Sequence, residues 1–289
     1  MQIELFKIFR RPRTYISFAA IAAMVLIVQV ALKADGVSYL EFLMGGMKDS
    51  IEIPYKLVLN GYLVCFIILN LLLIHVPLLV ALVAGDSIAG EANMGTLRLL
   101  LTRPVSRTRF MLIKFTACVI YTVMLLIWMA LLSLVLSIWL FGTNDMIITR
   151  NDVVEQIQRS DILWRYIAAF AYAAVALTTV AALAFLLSIF AENSIGPIVS
   201  TISIVIVFTI LSEMQIPIYD QTIKPFLFTS HMLAWKGFFY SKSNGEGEAI
   251  AGSIENLPAI MKSMSVLLTY IFLFVGSAVV IFNRKDILT

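Results

Sequence analysis

Six apolar stretches, each about long enough to cross a lipid bilayer, constrain this chain more than any other feature. A helix rises about 1.5 Å per residue, so about 20 apolar residues span a hydrocarbon core of about 30 Å. The stretches are residues 15–32, 61–84, 115–141, 164–190, 195–211 and 264–282. With 61% hydrophobic and only 13% charged residues, the composition excludes an ordinary soluble domain. We therefore expect residues 1–289 to form one all-α integral membrane domain.

Two further segments are predicted to lie along the membrane rather than across it. Residues 1–14 interleave apolar and basic side chains, a pattern typical of a helix at an anionic membrane surface. Residues 213–262 contain prolines and glycines that interrupt any long helix, yet they are rich in aromatic residues. This composition favours re-entrant or interfacial helices before the last span.

The distribution of charge predicts the orientation. Lys and Arg are densest in residues 1–14, in residues 85–114 and after the last span, whereas residues 33–60 and 142–163 are rich in acidic side chains. The positive-inside rule places the Lys- and Arg-dense segments in the cytoplasm. We therefore expect a multi-pass protein of the inner (cytoplasmic) membrane with both termini cytoplasmic.

Residues 85–114 form the predicted cytoplasmic loop between the second and third spans. On a helix from Glu91 to Leu101, Glu91, Gly95 and Arg98 would share one arc, and apolar side chains including Leu97 would occupy the opposite arc. Proline disfavours helical backbone at the residue before it, so this helix should end before the Arg-Pro pair at 103–104. The next helix should then be capped at its start by Ser106.

The same loop resembles the coupling-helix loop of the ABC type-2 permeases, the transmembrane subunits of ABC exporters. The matching residues are Glu91, Gly95, Thr96, Leu97, Leu100, Pro104, Val105, Ser106, Arg107 and Lys114. In that family the loop sits in a groove of a separate ATPase subunit, so the resemblance implies the same partner here. An ordinary basic interfacial loop remains the alternative.

The residues that this resemblance assigns to ATPase coupling are Glu91, Gly95, Thr96, Leu97, Arg98, Leu101, Arg103, Pro104, Ser106 and Arg107. Glu91 would pair with a basic residue of the ATPase and Arg98 with an acidic one. The short turn at residues 191–194, with Glu192, is predicted to be a second contact on the same side of the membrane.

Other function classes are disfavoured by what the sequence lacks. There is no GxxxxGK[ST] motif, so ATP and Mg²⁺ would bind the partner ATPase and no cofactor would bind this chain. Two histidines and two cysteines without characteristic spacing favour neither a catalytic triad nor a metal site, and we expect no enzyme activity. A net charge of +3 without a dense basic block excludes nucleic acid as a partner.

We expect the spans to be free of charged side chains, which disfavours an ion-coupled carrier because such carriers commonly bury charge as binding sites or relays. Polar residues within the spans are then the candidates for a substrate pathway: Asn70, His75, Thr178 and Ser200. The alternative for His75 is an interhelical hydrogen bond near Pro77, where the proline frees a backbone carbonyl.

Six spans are half of what an ABC transporter with two ATPase subunits needs, so we expect a second permease subunit, identical or paralogous. The small residues Gly196, Ser200 and Ser203 mark the fifth span as the predicted dimer seam. The competing hypothesis is a membrane anchor or scaffold that recruits a soluble partner without transport.

Overall fold

The computed structural model describes residues 1–43, 58–97, 106–150, 153–214, 222–242 and 250–285, and in them the chain is a helical bundle. Six of the described helices are long and apolar enough to cross a membrane, so the predicted all-α class with six spans is confirmed. The helices in chain order are α1 (Gln2–Arg10), α2 (Pro12–Leu43), α3 (Gly61–Ala84), α4 (Asp86–Asn93), α5 (Arg107–Ala130), α6 (Leu136–Phe141), α7 (Arg159–Leu187), α8 (Ile195–Glu213), α9 (Phe228–Met232) and α10 (Leu257–Arg284).

Short elements complete the bundle. A π-helical stretch, Leu131–Val135, joins α5 to α6, and a two-stranded antiparallel hairpin follows, with β1 (Met146–Arg150) paired to β2 (Val153–Ile157). The 3₁₀ turns Lys224–Phe226 and Leu233–Phe239 flank α9. Short helices therefore precede the last span, in the segment predicted to be re-entrant or interfacial.

Helix α7 is the centre of the bundle. It packs against α3, α5, α8 and α10. Small residues are buried from its middle towards its end: Ala169, Ala173, Ala176, Ala181 and Ala184. Small side chains let neighbouring helices approach closely, which is the main source of packing energy between helices in lipid.

A glycine fixes the crossing of α3 and α6. Asn60 caps α3 by accepting hydrogen bonds from the backbone N–H groups of Tyr62 and Leu63. The next residue, Gly61, lies so close to α6 that a Cβ atom there would be 2.6 Å from the carbonyl oxygen of Ser137. Any larger residue at this position would force the two helices apart.

The expectation that the spans are free of charge is wrong at Arg165, within the predicted span 164–190, and a second buried cation, Lys114, directly precedes the predicted span 115–141. Arg165 lies in α7 and is fully buried, and Lys114 lies in α5 with a relative exposure of 3%. A buried cation is tolerated only when opposite charge or hydrogen-bond acceptors surround it. Both residues meet that condition.

The ion-pair and hydrogen-bond partners of Arg165 lie at the end of the bundle opposite the N-terminus. Its guanidinium donates to the Asp161 carboxylate at 2.6 and 3.0 Å, one turn away on α7. It also donates to the carbonyl oxygens of Phe238 and Ser253, at 2.6 and 2.8 Å, and to the Ser241 hydroxyl at 3.1 Å. One side chain therefore anchors the segment between α9 and α10 to the central helix.

Both ends of the described chain lie on one face of the bundle. Arg107, at the start of α5, donates to the carbonyl oxygens of Asn283 and Lys285 at the end of α10. The Lys285 ammonium donates to the Ile189 carbonyl just after α7, and α1 packs against α5. We call this end of the bundle the N-terminal face.

Candidate functional site: the N-terminal face

Four side chains of alternating charge form a closed ring on the N-terminal face. Lys7 of α1 lies 2.8 Å from Glu91 of α4 and 3.5 Å from Glu4. Lys114 of α5 lies 2.9 Å from Glu4 and 3.3 Å from Glu91. Each carboxylate therefore faces both ammonium groups, and the ring fastens α1, α4 and α5 to one another.

Burial strengthens this ring. The side chains of Glu91 and Lys114 are 4% and 3% exposed, so water screens their attraction far less than it would at a surface. Burial lowers the pKa of Lys7, but hydrogen bonds and charge from Glu91 and Glu4 outweigh it and raise that pKa above its usual value. The Thr96 hydroxyl also donates to Glu91 at 2.5 Å, so the carboxylate has three donors from separate parts of the chain.

A second cluster surrounds Asp86, the first residue of α4. Its carboxylate pairs with Arg11 and Arg13 at the start of the chain and accepts a hydrogen bond from the Ser194 hydroxyl. Gly90, one turn later, leaves room for it, because a Cβ atom there would be 2.5 Å from a carboxylate oxygen. Asp86 therefore joins the loop after α3 to the turn before α8.

A cavity of about 30 Å³ lies between the ring and the Asp86 cluster. The buried Ser87 hydroxyl has no hydrogen-bond partner among the described residues and lines this cavity. The volume is sufficient for one water molecule, which the hydroxyl and the surrounding charges would bind.

The structure corrects the predicted role of Glu91. We expected its carboxylate to pair with a basic residue of an ATPase, but it is buried and bound by Lys7, Lys114 and Thr96 of its own chain. The pattern within residues 85–114 gave no sign of this, because Lys7 lies 84 residues away. Glu91 therefore holds the loop in place instead of presenting its charge to a partner.

The predicted helix from Glu91 to Leu101 is also wrong. Helix α4 begins earlier, at Asp86, and ends at Asn93, since Gly95 has a positive φ of 67°, a conformation that ends helices. Helical backbone resumes at Thr96 and Leu97. Met94 is 55% exposed at the resulting turn, whereas Leu97 is buried as expected for a residue that contacts the bundle.

The remaining coupling residues fall into three groups. Arg98, Leu101, Arg103 and Pro104 lie outside the described residues. Ser106 caps α5 as predicted, because its hydroxyl accepts a hydrogen bond from the backbone N–H of Arg109. The guanidinium of Arg107 is engaged with the end of α10.

The structure brings the two predicted contact segments together. The Ser194 hydroxyl touches Asp86, which places the turn at residues 191–194 beside α4. Both segments keep an exposed part, residues 93–95 in the loop and Glu192 with Asn193 in the turn. This exposed strip, which we call the loop strip, rests on the buried ring and the Asp86 cluster.

Of the four pathway candidates, two are exposed and two are half-buried. His75 and Ser200 are exposed and Asn70 is half-buried, whereas the hydroxyl of the half-buried Thr178 donates to the Ala174 carbonyl of its own helix. Nδ1 of His75 lies 2.7 Å from the carbonyl oxygen of Leu71, also within one helix. The described residues therefore show no interhelical bond of the kind considered for His75.

The predicted dimer seam faces outwards. Gly196, Ser200 and Ser203 are exposed along one side of α8, and Val199 and Ile206 continue the same surface. No other part of the described chain covers this surface.

The described residues hold no group of three or more His, Cys, Asp or Glu side chains that could bind a metal ion. Cys65 and Cys118 are buried and unpaired.

The residues that sequence analysis missed are the partners of Glu91 and Asp86. Glu4 and Lys7 are spaced three apart, the spacing of an ion pair on one helix face, and Asp86 is an isolated acid at the end of an apolar span. These patterns indicate that the residues form ion pairs. Nothing in the local sequence identifies the helix that carries each partner.

Fold and site together define a multi-pass, predominantly helical membrane protein whose N-terminal face is fastened by buried ion pairs. Residues 14–288 match the family described as "Protein of unknown function (DUF2705)", and the chain belongs to that family. The chain is also similar to the "Uncharacterized protein YhcI" of Bacillus subtilis (strain 168), with 28% identity over 120 residues. That match covers 39% of this chain and 37% of the YhcI protein.

Proposed function

We propose that this chain is the membrane-spanning permease subunit of an ATP-driven ABC exporter, coupled to a separate ATPase subunit through the loop strip. The observation that supports this most is the mechanical connection beneath the strip. The ring links α4 to α1 and α5, and Asp86 links it to the start of α8. A partner that pushes on residues 93–95 would therefore move several spans together.

The loop strip also has the chemistry of a docking surface. Met94 offers an exposed, flexible apolar side chain, and Glu192 offers an exposed charge in the turn before α8. Exposed methionines are common at binding surfaces because their flexible side chains adapt to the shape of a partner. In this proposal ATP and Mg²⁺ bind the ATPase, two ATPase subunits serve two permease subunits, and the strip faces the cytoplasm.

Copurification tests the docking surface. We expect a P-loop ATPase to copurify with the full chain from its native membranes in mild detergent, and Met94→Glu to release it, because a carboxylate would be buried in an apolar contact. Lys242→Glu, which changes an exposed residue on the opposite face, should leave copurification unchanged. Equal recovery of the ATPase with Met94→Glu would reject the loop strip as its docking site.

We further propose that two permease subunits meet along the exposed side of α8. A histidine and an amide are costly at a lipid-facing surface, and the neighbouring helix α3 carries His75 and Asn70 towards its outer side. A second copy placed against α8 and α3 would enclose these groups in a shared pathway.

Crosslinking tests the seam. A cysteine at Ser203 should form a crosslinked dimer with a short bifunctional reagent, whereas a cysteine at Leu268, exposed on α10, should not. The native Cys65 and Cys118 are buried and should react slowly. Dimers from Leu268→Cys but not from Ser203→Cys would place the seam elsewhere.

A further inference from the structure

A cavity of about 90 Å³ lies at the end of α8 opposite the N-terminal face, between α3, α8 and α9. Its walls change in chemistry along its length. Leu73, Pro77, Val205 and Met232 line it with apolar atoms, and Ser212, Glu213 and Thr229 line it with polar atoms. A cavity that is apolar in one part and polar in another matches an amphiphilic ligand.

The polar part of this cavity offers mainly hydrogen-bond acceptors. The Ser212 hydroxyl donates its single proton to the Phe208 carbonyl oxygen at 2.7 Å. The 2.8 Å contact between the Ser212 and Thr229 hydroxyls must then use the proton of Thr229. Both protons are committed, so the two oxygens present lone pairs to the cavity, while Thr209 adds one hydroxyl that can rotate either way.

Glu213 adds a negative charge to these acceptors. Among the described residues, no Lys or Arg forms an ion pair with its carboxylate, although Lys236 lies close enough for this charge to affect its pKa. Burial lowers the pKa of Lys236 and the Glu213 charge opposes that effect. A ligand in this cavity therefore meets a carboxylate and two oxygen acceptors, which together favour a positively charged donor.

We propose that this cavity binds an amphiphile with a primary ammonium head and a slender linear tail. The ammonium carries three N–H donors, which match Glu213, Ser212 and Thr229, while an alkyl tail covers the apolar wall. At about 90 Å³ the cavity is smaller than the roughly 150 Å³ that accommodates benzene in an engineered protein, so it holds the methylene groups nearest the head of a linear chain rather than a ring. That such amphiphiles are also the exported compounds rests on the proposed function; their binding does not.

Photoaffinity labelling of the full chain in nanodiscs tests this binding. The probe is a dodecylamine with a diazirine in its tail, and the competitors are dodecylamine, dodecanol and dodecanoic acid, which share the tail and differ in the head. We expect labelled peptides from α8 and α9 and competition by dodecylamine about tenfold or more stronger than by the other two, the size of a charge-assisted hydrogen bond. Glu213→Gln should remove the preference for the amine.

Two variants make the result decisive. Asp35→Asn makes the same change of charge at an exposed residue at the kink within α2 and should keep the preference. Val205→Phe fills the apolar wall and should abolish labelling of α8 and α9 in protein that still unfolds cooperatively. Labelling elsewhere in the chain, or an unchanged amine preference in Glu213→Gln, would overturn the proposal. The labelling assay needs no ATPase. A negative labelling result would therefore not contradict the permease proposal, and failure of the ATPase to copurify would not contradict binding of the amine.

Discussion

Arg165→Met is expected to destabilise the protein by about 3–5 kcal/mol, the usual cost of removing one partner from a buried ion pair. The substitution would leave Asp161 without its cation and the carbonyl oxygens of Phe238 and Ser253 without a donor. Because these acceptors belong to the segment between α9 and α10, that segment should also become more accessible to protease. Reversible unfolding in mixed micelles by SDS titration measures the change.

The matched control is Arg159→Met, which removes an exposed guanidinium from the same helix. It should change the free energy of unfolding by less than about 0.5 kcal/mol. Arg165→Lys keeps the charge but loses the planar set of five donors. Its free energy of unfolding should therefore lie between those of Arg165→Met and Arg159→Met. If Arg165→Met unfolded at the same SDS fraction as Arg159→Met, the anchor described for the opposite face would be wrong.

Lys114→Met is expected to have the second large effect, also about 3–5 kcal/mol. It would leave the carboxylates of Glu4 and Glu91 sharing a single ammonium group, that of Lys7. Adding Glu4→Gln removes one of the two carboxylates, so the double variant should be less destabilised than the sum of the two single variants. The double-mutant cycle gives this coupling as a free energy.

An exposed lysine provides the control for the ring. Lys262→Met changes the same residue type on α10, where the side chain is solvent-accessible, and should be nearly neutral. Strict additivity of Glu4→Gln and Lys114→Met would contradict a closed ring, since independent sites add and members of one network do not.

The spans were predictable from sequence because burial in lipid demands long apolar runs. The second span, residues 61–84, coincides with α3, and the cap at Ser106 followed from its position after Pro104. The start of α7 was predicted too late, because a polar first turn such as Arg159–Asp161 does not look like a membrane segment. Hydropathy records where a chain is apolar, whereas a helix begins where its backbone is capped.

The candidate site was only partly predictable, for a different reason. The pattern identified the loop between the second and third spans but assigned Glu91 to an outside partner, because the true partners Lys7 and Lys114 lie on separate helices. The end of α4 depends on a positive φ at Gly95, which a periodic pattern cannot reveal. Pairing across long separations is set by how helices pack, and local sequence carries little of that information.

Site-specific crosslinking from Met94 in intact membranes tests the central claim most directly. A photoreactive amino acid at Met94, which is 55% exposed at the turn after α4, should yield a product that joins this chain to a polypeptide containing a GxxxxGK[ST] motif. The same amino acid at Trp139, which is 78% exposed on α6, should not yield that product. A P-loop ATPase joined to Met94 alone is the result that the account predicts. Crosslinks from Met94 only to lipid or to proteins without a P-loop, in cells that express the intact protein, would contradict it.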